Sequence, residues 1–566
     1  MVRVRCNRLL SLSLLAAGAL VGEAIAQQRG EPMPYDQALA RYQECLSRLP
    51  FQYHTSGRET LARTGSPDAL TVLAKDYAKA KDYPEHSRYT LASMFGRFFR
   101  DEQFVPRFAE MRRKFDDPVD TWLWYHTLRN EISLVDARNA MRIATGAKKT
   151  YQRAAAILAI GDSSRPDLAA VVVPNCVEFP KKPGDRMLLL GAMTGALRRN
   201  KARVNEDGYR KALRAYISLL AADVRLSHSA KVQMARHLQT ILNGPAQFVN
   251  PEPWLELLDR GEVKRPKSTH TVVKPRFFGI ETEGERFCYV VDMSDSMLKE
   301  ISPSARPKGP ITGPKKKRKK KSMALDESDL PWHKIVTRWD LAREQLRISL
   351  SRLPKDKQFS IVWFGTDAGT LDATKGLVKA TPANVKRAMA ELDSINATMA
   401  TAGRKQGQMV LRGETSLHFG MSVAFSLGKR GPNGEPSYVA PKPLIEGCDT
   451  VFLLSDGVPN WDGFDINDKD YGEGRVMRDV ERGIAAARTP RINYPGPYAS
   501  FPTFTGSGHR PRAADMDTWL IQDLVRQNAF RRIRIHCVGL GEANETLLET
   551  LAEIGHGEVF IVGKKK

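Results

Sequence analysis

From residue 287 onward, short β-branched and aromatic runs alternate with amphipathic helical stretches, and this alternation limits the possible folds more than any other feature of the chain. Apolar runs at 287–291, 359–364, 450–454, 533–539 and 559–562 read as strands. Helical periods occupy 339–353, 383–392, 416–427, 519–528 and 545–554. Strands separated by helices cannot pair as hairpins, so they must return in parallel. The predicted fold of this part is α/β, a doubly wound, mostly parallel sheet covered by helices on both faces.

In such a sheet, ligands bind beyond the carboxyl ends of the strands. The first strand runs Phe-Cys-Tyr-Val-Val and continues Asp292-Met-Ser294-Asp-Ser296, three oxygen donors at alternate positions. A carboxylate and two hydroxyls suit a hard divalent cation. One such pentapeptide arises by chance, so partners are required. The run 451–454 ends in Ser455-Asp456-Gly457, and Arg412-Gly413-Glu414-Thr415 places a hydroxyl just before a helix.

In this order and these contexts, the three pieces resemble the metal-ion-dependent adhesion site of the von Willebrand factor type A family. The family pattern of Asp-x-Ser-x-Ser, then Thr, then Asp falls on Asp292, Ser294, Ser296, Thr415 and Asp456. The likeness extends over 277–562, including Phe278-Gly279-Ile280, Met297, Val458-Pro459 and the closing Cys537-Val538-Gly539-Leu540-Gly541. It implies Mg2+, with Mn2+ or Ca2+ as alternatives. Ser294, Ser296 and Thr415 would be hydroxyl ligands, Asp292 and Asp456 would often act through water, and a protein partner's Asp or Glu would take the open position. Two residues depart from the pattern. Asp295 stands where the family usually has glycine, and Glu414 stands where Gly-Gly-Thr is common. Both add negative charge near the cation, and both are read first as solvent-facing neighbours.

The preceding region, 27–260, is helical in period, with apolar residues three and four apart and turns such as Gly65-Ser66-Pro67 and Gly161-Asp162-Ser163-Ser164. The two turns, each followed by an apolar helix, resemble those of HEAT-type repeats. An irregular solenoid is the expectation, and a compact bundle is the alternative. Residues 261–275 are polar and basic without periodicity and form a linker to a second domain at 276–563. That domain carries two insertions. The first, 300–335, contains the basic run Lys315 to Lys321, and the second, 461–515, is acidic and then rich in Pro and Gly. The basic run reads either as an electrostatic arm for an anionic polymer or surface or as a solvated loop. The acidic stretch fails the calcium-loop pattern at Lys469 and is the better match for the lysines.

Arg3, Arg5 and Arg8, an apolar stretch to Val21 and Ala24-Ile25-Ala26 have the layout of a cleavable secretory leader over 1–26. The apolar run is shorter than the roughly 20 residues that span a bilayer. A secreted, periplasmic or cell-surface protein without a transmembrane span is therefore expected. The formal charge of +23 becomes +21 once Arg3, Arg5, Arg8 and Glu23 are removed with the leader. Such an excess favours anionic partners and specifies no nucleic acid. Five cysteines then remain at wide spacings, without a Cys-x-x-Cys pair, which excludes a disulfide scaffold and a zinc ribbon. Aligning Asp292 with Asp456 on adjacent strands offsets Cys288 from Cys448 by about four residues, roughly 13 Å, too far for a bridge.

The chain lacks Gly-x-Ser-x-Gly, His-Glu-x-x-His and a phosphate-binding glycine loop. Haloacid-dehalogenase phosphatases also place an aspartate after the first strand but need an acid two residues on, where this chain has Ser294. His418 and His536 read as core or surface residues. The expected function is thus non-enzymatic, cation-dependent capture of a carboxylate, with the helical half as a second docking surface. The alternatives are a hydrolase using the same metal and an assembly scaffold with a vestigial site.

Overall fold

The computed structural model describes residues 33–47, 51–80, 85–98, 101–221, 224–244, 249–262, 274–301, 306, 325–365, 368–395, 411, 415, 417–432, 441–456, 519–541 and 543–562. The leader, Lys315 to Lys321, Glu414 and the 461–515 insertion lie outside the described residues, as does most of the linker.

The N-terminal half contains α1 (Tyr35–Leu46), α2 (Phe51–Arg63), α3 (Pro67–Lys79), α4 (Glu85–Met94), α5 (Phe104–Lys114), α6 (Thr121–Leu134) and α7 (Arg138–Gly146). It continues with α8 (Thr150–Gly161), α9 (Leu168–Val177), α10 (Pro183–Arg199), α11 (Asp207–Ser218), α12 (His228–Leu242) and α13 (Pro251–Arg260). Side chains at the turns cap the helices that follow them. Ser66 accepts the Ala69 N–H at the start of α3, and Asp167 accepts the Ala170 N–H at the start of α9. From α6 onward, alternate helices lie side by side. One layer is α6, α8, α10 and α12, and the other is α7, α9, α11 and α13. Small residues allow the close approach of α8 and α10, since a Cβ at Gly161 would run into Ala196.

The second half opens with a short ribbon, β1 (Arg276–Phe277) and β2 (Ile280–Glu281), and continues with β3 (Arg286–Asp292), α14 (Arg338–Ser351), β4 (Gln358–Phe364), β5 (Ala368–Thr370) and β6 (Val378–Lys379). Then follow α15 (Pro382–Ser394), α16 (Leu417–Ser426), the ribbon β7 (Leu427–Gly428) and β8 (Gly431–Pro432), α17 (Pro441–Glu446), β9 (Thr450–Ser455), α18 (Trp519–Asn528), β10 (Arg534–Gly539), α19 (Glu545–Ile554) and β11 (His556–Ile561). The central sheet has the order β11-β10-β9-β3-β4-β5, with β6 also on β4. Its five long strands are parallel, and β5 and β6 add an antiparallel edge. This is the predicted α/β architecture preceded by helices.

Strand pleating divides the core. Phe287, Tyr289 and Val291 face the layer of Trp339, Leu346 and Leu392, whereas Cys288 and Val290 face that of Leu417, Met421, Leu524 and Leu551. Burial on both faces explains why the strands are nearly continuous apolar runs. Part of the 300–335 insertion belongs to this core: Ile301 and Ile335 are buried, and Arg276 pairs with Glu327 at 2.7 Å.

The thiol separation expected from the sequence is overturned. β3 and β9 are neighbours, with Cys288 opposite Val451, but Cys448 precedes β9 in a turn. The strand-rise argument fails there: the Cys448 thiol donates to the Ala424 carbonyl at 3.4 Å and lies beside that of Cys288. Both are free, and burial pushes the Cys288 thiol up.

The halves share a buried seam. Leu444, Ala529 and Phe530 of the second half belong to the core of the first. Gly191 on α10 leaves room for the Phe530 backbone, and the Phe530 ring lies 6.0 Å from that of Trp122. At the amino end of β9, Asp449 accepts hydrogen bonds from the Ser229 hydroxyl (2.9 Å) and the Arg286 N–H (3.1 Å). Arg236 donates to the Asp449 carbonyl (3.3 Å) and the Thr450 hydroxyl (3.1 Å). The helices therefore dock at the amino ends of the strands and leave the carboxyl ends clear of this seam.

Candidate metal centre

The chain enters the sheet at β3, moves to β4 on one side, and later returns to β9 on the other. Connections leave β3 and β9 in opposite directions, which opens a crevice at their carboxyl ends, the usual ligand position in such sheets. Asp292 ends β3, and Asp456 directly follows β9. Val291 pairs with Leu454, so the two carboxylates meet across the crevice.

Four of the five expected residues form one hydrogen-bonded chain. The Ser294 N–H donates to Asp292 Oδ1 at 3.0 Å, and the Ser294 and Ser296 hydroxyls lie 2.9 Å apart. Ser296 Oγ donates to Asp456 Oδ1 at 2.6 Å. The Asp456 N–H points at Asp292 Oδ2, 3.5 Å away. The single 3₁₀ turn Asp295–Leu298 folds the two serines back onto the strand ends. Thr415, also buried, is brought to this end of the sheet by α16. That helix packs on β3 and β4, with Gly420 against Phe364, the residue paired with Asp292.

Burial, followed by the neighbouring Asp456 charge, pushes the Asp292 carboxyl up to about 7, although the Ser294 and Asp456 donors oppose the shift. Asp456 is raised as well, mainly by burial, against the pull of Ser296, Arg338 and Lys299. Two buried carboxylates that repel one another, fringed by hydroxyls, form a donor set that a divalent cation would relieve. Among the described residues no group of three or more His, Cys, Asp or Glu side chains could hold a metal. This centre differs in kind, with two carboxylates and hydroxyls for its remaining donors. Asp295 is exposed, as expected of a solvent-facing neighbour.

Two participants were not foreseen. Ser455 Oγ donates to Asp292 Oδ2 at 3.2 Å, and Arg338 Nη1 donates to Asp456 Oδ2 at 2.9 Å. Ser455 was discoverable, being the hydroxyl beside the second aspartate. Arg338 begins a helix far away in sequence, and no local pattern shows where its guanidinium goes. The histidines are core groups: His418 Nε2 lies 2.9 Å from Asp523 Oδ2, and His536 stacks on Phe452.

Residues 333–409 and 511–560 match the von Willebrand factor type A domain family. The matched stretches contain Arg338 but none of Asp292, Ser294, Ser296, Thr415 and Asp456. No curated protein matches the chain.

Proposed function

We propose that this chain is an exported, non-enzymatic binding or adhesion protein that captures a carboxylate of a protein partner through a divalent cation. The cation is Mg2+, with Mn2+ or Ca2+ as alternatives, and Asp292, Ser294, Ser296, Thr415 and Asp456 hold it. The observation that carries the reading is the meeting of Asp292, Ser294, Ser296 and Asp456 in one hydrogen-bonded chain at the switch point of the sheet. A bound cation would supply the positive centre that a partner's Asp or Glu recognises. The protein's own part is to hold the hydroxyls in place and keep both carboxylates out of bulk water.

The state of the serines favours binding over catalysis. Ser294 and Ser296 bond to each other and Ser296 bonds to Asp456, while His418 is engaged with Asp523 instead of acting as a base for either hydroxyl. The two helical layers are read as a HEAT-like solenoid offering a second docking surface. Lys315 to Lys321 are read as an arm toward an anionic polymer or surface, with no specific nucleic acid. Export rests on the sequence of the leader. Among the described residues no helix is long and apolar enough to cross a membrane.

Calorimetric titration of the full chain with Mg2+ and Mn2+ tests the site. One binding event is expected, lost in Asp292→Ala. No uptake by the unaltered protein, or equal uptake by the variant, would sink the reading. Retention of an acidic protein ligand in Mg2+ and its release by EDTA, without turnover, would separate capture from hydrolysis and from a vestigial site.

A further inference from the structure

Asp456 divides its two oxygens between unlike partners. Oδ1 accepts from the Ser296 hydroxyl at 2.6 Å, and Oδ2 accepts from Arg338 Nη1 at 2.9 Å. The same guanidinium nitrogen donates to the Asp456 backbone carbonyl at 3.2 Å. Both side chains are buried, so water screens this pair weakly. Asp292 has a different set of donors: the Ser294 N–H, the Ser455 hydroxyl and the Asp456 N–H, all neutral.

Three features of the fold hold Arg338 in place. Thr337 caps α14 in a reciprocal capping box with Asp340, which fixes the helix start. The Arg338 N–H donates to the Lys299 carbonyl at 3.0 Å, and Glu300 bridges to Thr337, so the helix start is stitched to the segment that follows Ser294 and Ser296. Gly541, just beyond β10, takes a φ of +57°, and a Cβ there would run into the guanidinium. A glycine at this position both permits the left-handed turn and clears a berth for the arginine.

We infer that Arg338 is the built-in counter-charge of the candidate metal centre and the residue that sets its preference for an anionic partner. The inference rests on the metal-site reading above. Two carboxylates would neutralise a divalent cation completely and leave little attraction for an incoming acid. The buried guanidinium paired with Asp456 shifts that balance by one positive charge, so the loaded centre stays positive. This also accounts for the tolerance of Asp295 within the motif: its carboxylate is exposed and screened, whereas Arg338 is buried beside the site. The same charge opposes the cation, so Arg338 gives up metal affinity in return for affinity toward acids.

The test uses the full-length protein, Mn2+ as the metal probe followed by electron paramagnetic resonance, and acetate as the carboxylate probe followed by the relaxivity of bound Mn2+. In Arg338→Gln, Mn2+ is expected to bind roughly tenfold more tightly or better, and acetate to bind the loaded site roughly tenfold more weakly. Arg338→Lys keeps the charge and should stay within about threefold of the unaltered protein on both measures. Gly541→Ala displaces the guanidinium without removing it and should move both quantities in the same directions as Arg338→Gln, by a smaller factor. It also serves where Arg338→Gln does not fold.

Unchanged or weaker Mn2+ binding in Arg338→Gln would overturn the inference, since a merely structural ion pair loses metal affinity when broken. A parallel loss of both affinities in Gly541→Ala would do the same. If the unaltered protein takes up no Mn2+, or Asp292→Ala takes it up equally, the metal-site reading itself fails. Uptake that depends on Asp292 but is indifferent to Arg338 removes only this inference.

Discussion

Asp292 shows how one side chain links stability, pH and the candidate cation. Its carboxyl is pushed up to about 7 in the folded chain from an ordinary value of 3.8. The folded state therefore holds a proton more tightly than the unfolded state between those values. Stability must fall as pH rises through that window, the reverse of the usual salt-bridged aspartate. In chelator, urea unfolding at pH 4.5 and pH 7.5 should show the metal-free protein weaker at the higher pH, with much of the difference gone in Asp292→Asn. A slope retained in that variant would assign the effect elsewhere. A divalent cation competes with the same proton, so Mn2+ affinity should drop as pH falls below about 7. Asp292, Ser294, Ser296 and Asp456 were legible in the sequence because each sits just past a buried strand or at its end, where period and motif coincide. Arg338 was not, because a guanidinium on a long flexible stem has no period that reveals its target.

At the scale of elements, the parallel strands and their helices were readable because each is long enough for its period to show. β5, β6 and the two ribbons are two or three residues long and carry no such signal. The Cys288–Cys448 separation failed for a related reason: extended geometry was carried past the end of β9 into a turn, where rise per residue has no meaning. The helix start at Thr337 offers a direct measurement. Its hydroxyl accepts the Asp340 N–H at 3.1 Å while the Asp340 carboxylate accepts the Thr337 N–H at 2.9 Å. Thr337→Ala should cost about 1 kcal/mol in urea unfolding. Because this cap anchors the turn that carries Arg338, the variant should also alter Mn2+ affinity. A stability loss with wholly unchanged Mn2+ binding would show that the cap and the centre are independent.

For the whole molecule, the sequence marked two regions and the linker between them but could not show that they share a core. No sequence signal singles out Leu444 or Phe530, and periodicity says which face of a helix is apolar without saying what covers it. In the folded chain Phe530 is buried among helical-half residues such as Trp122. Truncating it removes a large ring from a seam that cannot fully collapse, because α10 is already held close at Gly191. Phe530→Ala should therefore cost about 3–5 kcal/mol. If the seam couples the halves, the loss will appear in both at once, as one transition with coincident midpoints by circular dichroism and by tryptophan fluorescence. Trp122, Trp124 and Trp254 report on the helices, and Trp339 reports on the sheet. Separate transitions, with only one displaced, would show that the halves fold independently and that the seam is a weak contact. Mn2+ affinity gives the control. The seam meets the sheet at Asp449 and the candidate centre lies at Asp456, seven residues and roughly 23 Å of strand away. At that distance Phe530→Ala should leave Mn2+ binding unchanged under conditions where the variant stays folded. A shift in affinity would mean instead that the helices set the geometry of the centre from the far end of the sheet.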